Sequence, residues 1–247
     1  MEDKPCSIPL RILKLEALLE GRLCPNHPTI PDIAAEYRRR LAGFRGEKAL
    51  EFHLSMLSQQ KFHIFHNIRL KLGNYYFQID YLILCSSFAI ALEVKNMSGE
   101  IIFKKELNQV FWKKNEVVER IKNPVLQARL QARKLKMWLR KHQIEDLPVH
   151  YLFVNSNEKT RITVEPGNEQ VLQVSCNSEG VVDKIEQIAN VNMVEKLDSK
   201  QLKKLRRLIL TKHTPENPDL LKQFNLSPHE ILPGVKCPNC DFLSMFY

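Results

Sequence analysis

Asp80, Glu93 and Lys95 stand in two adjacent apolar runs, Ile79-Asp80-Tyr81-Leu82-Ile83-Leu84 and Ala89-Ile90-Ala91-Leu92-Glu93-Val94-Lys95. Both runs read as strands, with Ser86-Ser87 as a two-residue turn between them. In that register Asp80 lies opposite Glu93. Because side chains alternate along a strand, Lys95 points to the same face as Glu93. Three charged groups then converge on an otherwise apolar sheet, where burial is costly unless charges are paired or bound to a metal. Two facing carboxylates repel unless a cation sits between them, so the trio asks for a divalent metal with the lysine beside it. One residue more in the turn would set Asp80 opposite Val94, unless a bulge restored the pairing.

Further residues qualify on weaker grounds. Glu47, Leu50, Leu54 and Leu57 fall on one helical face. A carboxylate on such a stripe needs a partner, which the acidic trio could supply through a metal or water; the plainer reading is a first-turn glutamate favoured by the helix dipole. Gln127 lies in the first turn after Asn123-Pro124, where it could meet a phosphate or a water, or be an ordinary surface glutamine. The 129–141 and 200–212 segments are basic helices, solvated faces by default and phosphate contacts as a second reading. Cys237-x-x-Cys240 is half of a zinc ribbon. A tetrahedral zinc needs four ligands, and only seven residues of the sequence follow Cys240. The expectation is a half-site with free thiols and no stoichiometric zinc. His229, Cys6, Cys24 or a second subunit, as in a homodimer, are the alternatives that would complete it.

Around these residues the sequence predicts a mixed α/β body. Residues 8–20 look helical, a second helix runs from about Asp32 to Gly43, and a third from Phe44 to Ser58. Strands follow over 62–71, 75–85 and 88–95, then a hairpin of 100–104 and 109–113. Asn123-Pro124 reads as an N-cap with proline at the first helical position, opening a helix to about His142. Val149–Val154 and 171–175 read as strands and 181–189 as a helix. Asp198-Ser199-Lys200-Gln201 resembles a capping box for the basic helix that ends near Leu210. The expected domains are a helical extension over 1–43, the mixed α/β body over 44–190, and a basic helix with the half-ribbon tail over 191–247.

The 247 residues suffice for one sizeable domain with extensions, or two small ones. An apolar content of 44% and a charged content of 26% support a packed core and exclude global disorder. The net charge of +9 favours anionic partners such as nucleic acid. Met1-Glu2-Asp3-Lys4-Pro5 lacks the basic and apolar regions of a signal peptide. No run approaches a membrane span, so no membrane partner is expected. Cys6, Cys24, Cys85 and Cys176 are scattered, which suits a reducing cytoplasm without disulfides.

The segment from Gly46-Glu47 through Gln78-Ile79-Asp80-Tyr81-Leu82, Glu93-Val94-Lys95-Asn96 and Ser98-Gly99-Glu100-Ile101 to Asn123-Pro124-x-x-Gln127 resembles the nuclease-related domain, NERD, of the PD-(D/E)xK, or restriction-endonuclease-like, group. Gly234-Val235-Lys236-Cys237-Pro238-Asn239-Cys240 is similar to the first half of the zinc ribbon that members often carry. The resemblance implies a mixed central sheet flanked by helices and Mg²⁺-dependent hydrolysis of phosphodiester bonds, with Mn²⁺ as a substitute. On that reading the chain is a cytoplasmic DNA-processing endonuclease. Asp80, Glu93 and the Val94 carbonyl would hold the metal, and Lys95 would orient or deprotonate the attacking water. Glu47 would hold a second metal or a bridging water, and Gln127 would contact phosphate or water. The alternative is a catalytically inactive nucleic-acid-binding module that keeps the carboxylates as structural ion pairs.

Overall fold

The computed structural model describes residues 3–236 and 243–245, with side chains described over 3–234. Internal packing divides the chain into two units, Met1–Ser7 with Arg45–Thr214 and Ile8–Phe44 with Pro215–Tyr247. Helix α1 (Leu10–Ala17) opens the smaller unit, and α2 (Ile30–Leu54) carries the division between Phe44 and Arg45 inside it. The break expected at Gly43 is absent: α2 is one helix of 25 residues that ends at Leu54 rather than Ser58. A helical glycine costs only about 1 kcal/mol, which the burial of Leu50 and Leu54 further along outweighs.

The larger unit begins with the hairpin of β1 (His63–Leu72) and β2 (Tyr75–Leu84), followed by β3 (Ala89–Lys95), β4 (Gly99–Phe103), β5 (Val110–Lys114) and β6 (Val117–Ile121). Helix α3 (Pro124–Lys141) follows, its N-cap Asn123 side chain accepting from the Leu126 N–H at 3.1 Å. Then come β7 (Val149–Asn155), β8 (Thr160–Val164), the short α4 (Gln170–Gln173), β9 (Ser175–Asn177), α5 (Val181–Val191) and α6 (Ser199–Lys212). Asp198 and Gln201 form the expected capping box at the start of α6. Strand character expected over 171–175 is a turn of helix with β9 just after it. Strands β6 and β8 escaped the sequence reading, because Val117–Ile121 is exposed and Thr160–Val164 only half-buried, and neither carries a marked apolar alternation.

The architecture is mixed α/β, with two mixed sheets flanked by helices rather than one. The five-stranded sheet has the order β1-β2-β3-β7-β9, with β3 and β7 parallel. One face packs Leu82, Leu84, Ala89 and Ala91 against Leu135 and Trp138 of α3 and Leu205 and Ile209 of α6. The other packs Tyr81, Ile83, Ile90 and Leu92 against Leu50 and Leu54 of α2 and Val181 and Ile185 of α5. The basic helix is thus part of the larger unit's core through its apolar stripe. The second sheet has the order β6-β5-β4-β8, and Ile101, Phe103 and Val110 form the buried side of it with Phe153.

In the smaller unit, Leu15, Leu18 and Ile33 pack with Leu220 of α7 (Leu220–Gln223) and with Leu226. Strand β10 (Val235–Lys236) pairs antiparallel with β11 (Leu243–Met245). Cys237 and Cys240 lie outside the described residues. Among the described residues no helix is long and apolar enough to cross a membrane.

Candidate active site

The β2–β3 register is the one the two-residue turn demands. Leu84 pairs with Ala89 and Tyr81 with Leu92, and the Cys85 N–H donates to the Phe88 carbonyl at 3.0 Å across Ser86-Ser87. Continued by one step, the ladder would pair Asp80 with Glu93, but backbone pairing ends at Tyr81–Leu92. There the Asp80 side chain replaces a backbone acceptor: its Oδ2 takes the Val94 N–H at 2.8 Å. The carboxylate is thereby fastened to β3 beside Glu93.

Strict alternation does not hold at this level of the sheet. Ile79 and Leu82 pack on the α3 face, although three positions apart, and Phe65 and Ile68 of β1 do the same. Both strands change phase together, at Asp80 and at Asn67, while the β1–β2 register is unchanged on either side. Asn67 has φ 52°, a left-handed conformation that asparagine tolerates better than most residues. Asp80 therefore sits at a paired irregularity, at the point where β2 also parts from β3.

Glu93 shares the parity of Ala89 and Ala91 and is only 7% exposed. The Lys95 Nζ donates to its Oε1 at 2.5 Å. Burial works against the lysine's charge, but Glu93 and Asp80 outweigh it and hold its pKa above the ordinary value. Lys95 is thus an ammonium, suited to orienting a water or meeting negative charge, and not a base in this state. Burial first, then the charges of Glu93 and Glu47, push the Asp80 carboxyl well above its ordinary 3.8; Lys95 and the Val94 N–H pull the other way.

Glu47 reaches the site by a close helix-to-strand approach. A Cβ on Gly46 would lie 2.4 Å from Asn96 Cβ and 2.6 Å from Ser156 Oγ, so only glycine lets α2 seat against the ends of β3 and β7. Glu47 follows directly, and its Oε2 meets Nε2 of the fully buried His66 at 2.6 Å. The Tyr81 hydroxyl donates to the Glu47 carbonyl at 3.0 Å. Sequence reasoning missed His66; the available signal was a histidine inside an apolar strand run, with no indication that Glu47 would meet it.

Asp80, Glu93, Lys95 and Glu47 thus act on one another in one place. Gln127 sits on α3, which packs against β3 and β7, and its amide oxygen is buried without a hydrogen-bond partner. None of the hydrogen bonds described above for the carboxylates involves it. The cations Arg129, Arg133, Lys136 and Arg140 of α3, and Lys203, Lys204 and Arg207 of α6, are exposed. Of the proposed zinc ligands, Cys6 has its thiol pushed up to about 11, chiefly by burial, which disfavours the thiolate a metal needs. Among the described residues, no three of His, Cys, Asp and Glu stand at the spacing of a metal cage. Two carboxylates with main-chain oxygen and water are nonetheless a sufficient set for Mg²⁺, which keeps much of its water shell.

Residues 42–156 match the model of the NERD family, described as a nuclease-related domain. No curated protein and no solved structure matches the chain.

Proposed function

We propose, from the match of residues 42–156 to the nuclease-related domain, that the chain is a metal-dependent nuclease that hydrolyses phosphodiester bonds, in DNA processing. The observation that carries the reading is the meeting of Asp80 with the Glu93–Lys95 pair where the β2–β3 ladder ends. The donor set fits a hard divalent cation. All its side-chain donors are oxygens, and the carboxylates of Asp80, Glu93 and Glu47 outnumber the one ammonium of Lys95.

Asp80, Glu93 and the Val94 carbonyl would hold Mg²⁺, with Mn²⁺ as a substitute. When bound, the ion supplies Lewis-acid polarisation of the scissile phosphate and acidifies a coordinated water. The protein's own groups do the rest. The Val94 N–H keeps Asp80 in place. Lys95 orients the attacking water and offsets negative charge that grows on the phosphoryl oxygens. Glu47, braced by His66, would hold a bridging water or a second ion. Gln127 has an unengaged amide oxygen with which to accept from that water. The exposed cations of α3 and α6 supply phosphate contacts that carry no sequence information.

The test is cleavage of a panel of labelled single-stranded, duplex and branched DNA, and RNA, by the purified chain with Mg²⁺ or Mn²⁺. Metal-dependent cleavage that disappears in Lys95→Ala while binding persists supports the proposal. Binding without cleavage under every condition sinks it. That outcome would favour the inactive binding module, for which the 2.5 Å Glu93–Lys95 ion pair would be purely structural.

A further inference from the structure

Among the described residues, no element is seen to pack on one face of the four-stranded sheet. Register and burial identify it. Ile101, Phe103, Val110, Trp112, Ile162 and Val164 turn to the core side. Their neighbours in sequence turn outward, and the ladders align those neighbours in rows. Arg161, Glu100, Lys113 and Val118 form one row across β8, β4, β5 and β6. Thr163, Ile102, Phe111 and Arg120 form the next. Beyond it, Lys104 and Gln109 are joined by a backbone hydrogen bond of 2.9 Å, and Lys122 follows the end of β6.

The composition of this face is specific. An aromatic ring, half-buried, sits at its centre beside Ile102 and directly across from Arg120, at the spacing of about 5 Å that cross-strand neighbours keep. Arg161, Lys113, Arg120, Lys104 and Lys122 surround it, all exposed. The opposing charges are Glu100, which accepts from the Thr163 hydroxyl at 2.5 Å, and Glu165, which meets Lys104 at 3.4 Å. Cations therefore exceed carboxylates on the face as a whole.

The face also leads to the candidate active site. Lys95 ends β3 and Gly99 begins β4, so at most about 18 Å of extended chain separates Lys95 from Glu100 in the first row. Gly99, at φ 97°, lets β4 start there: a Cβ would lie 2.4 Å from the Lys113 carbonyl oxygen.

We infer that the outer face of the four-stranded sheet is a platform for single-stranded nucleic acid, on which a base stacks over Phe111 and phosphates lie along the flanking lysines and arginines. This rests on the nuclease reading and sharpens it by naming the substrate's form. A sheet face with a central aromatic and a cationic surround suits unstacked bases, whose faces are open; in a duplex those faces are already taken. An acidic protein partner would use the cations and leave the ring without a role.

The test is fluorescence anisotropy with the full chain in chelator, so that binding is read without cleavage. The probes are a labelled oligodeoxythymidine of about 20 nucleotides and a duplex of the same length. The wild type should prefer the single strand. Phe111→Ala should weaken its binding at least about fivefold, without changing the dependence on salt. Phe111→Trp should restore it, and Phe111→Leu, which keeps the apolar packing, should not. Lys113→Gln with Arg120→Gln should lower the salt slope by about 1.4, at about 0.7 per phosphate contact. Preference for the duplex, no binding of the single strand, or Phe111→Ala and Phe111→Leu binding as the wild type does would each overturn the inference. Cleavage by the wild type is read separately. Stacking without cleavage would fail the nuclease reading alone, and cleavage indifferent to Phe111 with unchanged binding would fail the platform alone.

Discussion

The two sheets of the larger unit handle charge in opposite ways. The five-stranded sheet is covered on both faces, by α3 and α6 on one side and α2 and α5 on the other. Its buried carboxylates are held by specific partners, Asp80 by the Val94 N–H and Glu93 by Lys95, and Glu47 of the covering helix is held by His66. Among the described residues, the four-stranded sheet is covered on one face, and the cations on its other face are exposed. Charge that must be held in place among apolar neighbours is suited to chemistry; charge that is solvated and loosely arrayed is suited to contact. The protein has one of each, joined by the four residues after Lys95.

The largest difference should come from the same residue type removed in each sheet. Lys95→Ala should reduce cleavage about 10²- to 10³-fold in single-turnover assays. It also leaves the Glu93 carboxylate buried and unpaired, a loss on the order of 1–3 kcal/mol in urea unfolding. Lys113→Ala should stay within about 0.5 kcal/mol of the wild type. Equal stability losses would erase the contrast between the sheets.

Metal linkage should single out the closed sheet next. Mg²⁺ at 100 times its dissociation constant should stabilise the wild type by about 2.7 kcal/mol and Asp80→Asn far less. Without metal the order reverses. The folded Asp80 carboxyl titrates above its unfolded value, so the native state binds more protons than the unfolded state across that interval. The wild type therefore loses stability as pH rises from about 3.8 through the raised value, and Asp80→Asn, which retains an acceptor for the Val94 N–H, does not. In chelator the variant should be the more stable at neutral pH, with the gap closing on acidification. An unchanged gap from pH 4 to pH 8 would contradict the burial argument.

Gly46→Ala tests how α2 delivers Glu47. The added methyl collides with Asn96 and Ser156, which should cost about 1–3 kcal/mol by thermal or urea unfolding. Cleavage should fall as well, since Glu47 moves with the helix. Asn67 should give the smallest effect. Asn67→Val forces a branched side chain into the left-handed region and should destabilise by about 1–2 kcal/mol, while Asn67→Gly should be nearly neutral. If valine is tolerated, the paired irregularity at Asn67 and Asp80 has relaxed, and the geometry of the site with it.

What the sequence determined by itself was local. The Ser86-Ser87 turn and alternation in its two arms fix the register that brings Asp80 level with Glu93, because only two residues separate the strands. Asn123 and Asp198 announce their helices because a cap acts within one turn. The tertiary structure decided what had to be joined across distance. That α2 runs on through Gly43, that Gly46 seats against Asn96 and Ser156, and that Glu47 finds His66 all depend on packing between segments far apart in the chain. So do the phase change at Asp80, which needs its partner at Asn67, and the second sheet, where β8 returns to pair with β4. Local periodicity specifies which face a residue can offer; only the closing of long loops around a shared core decides which faces meet.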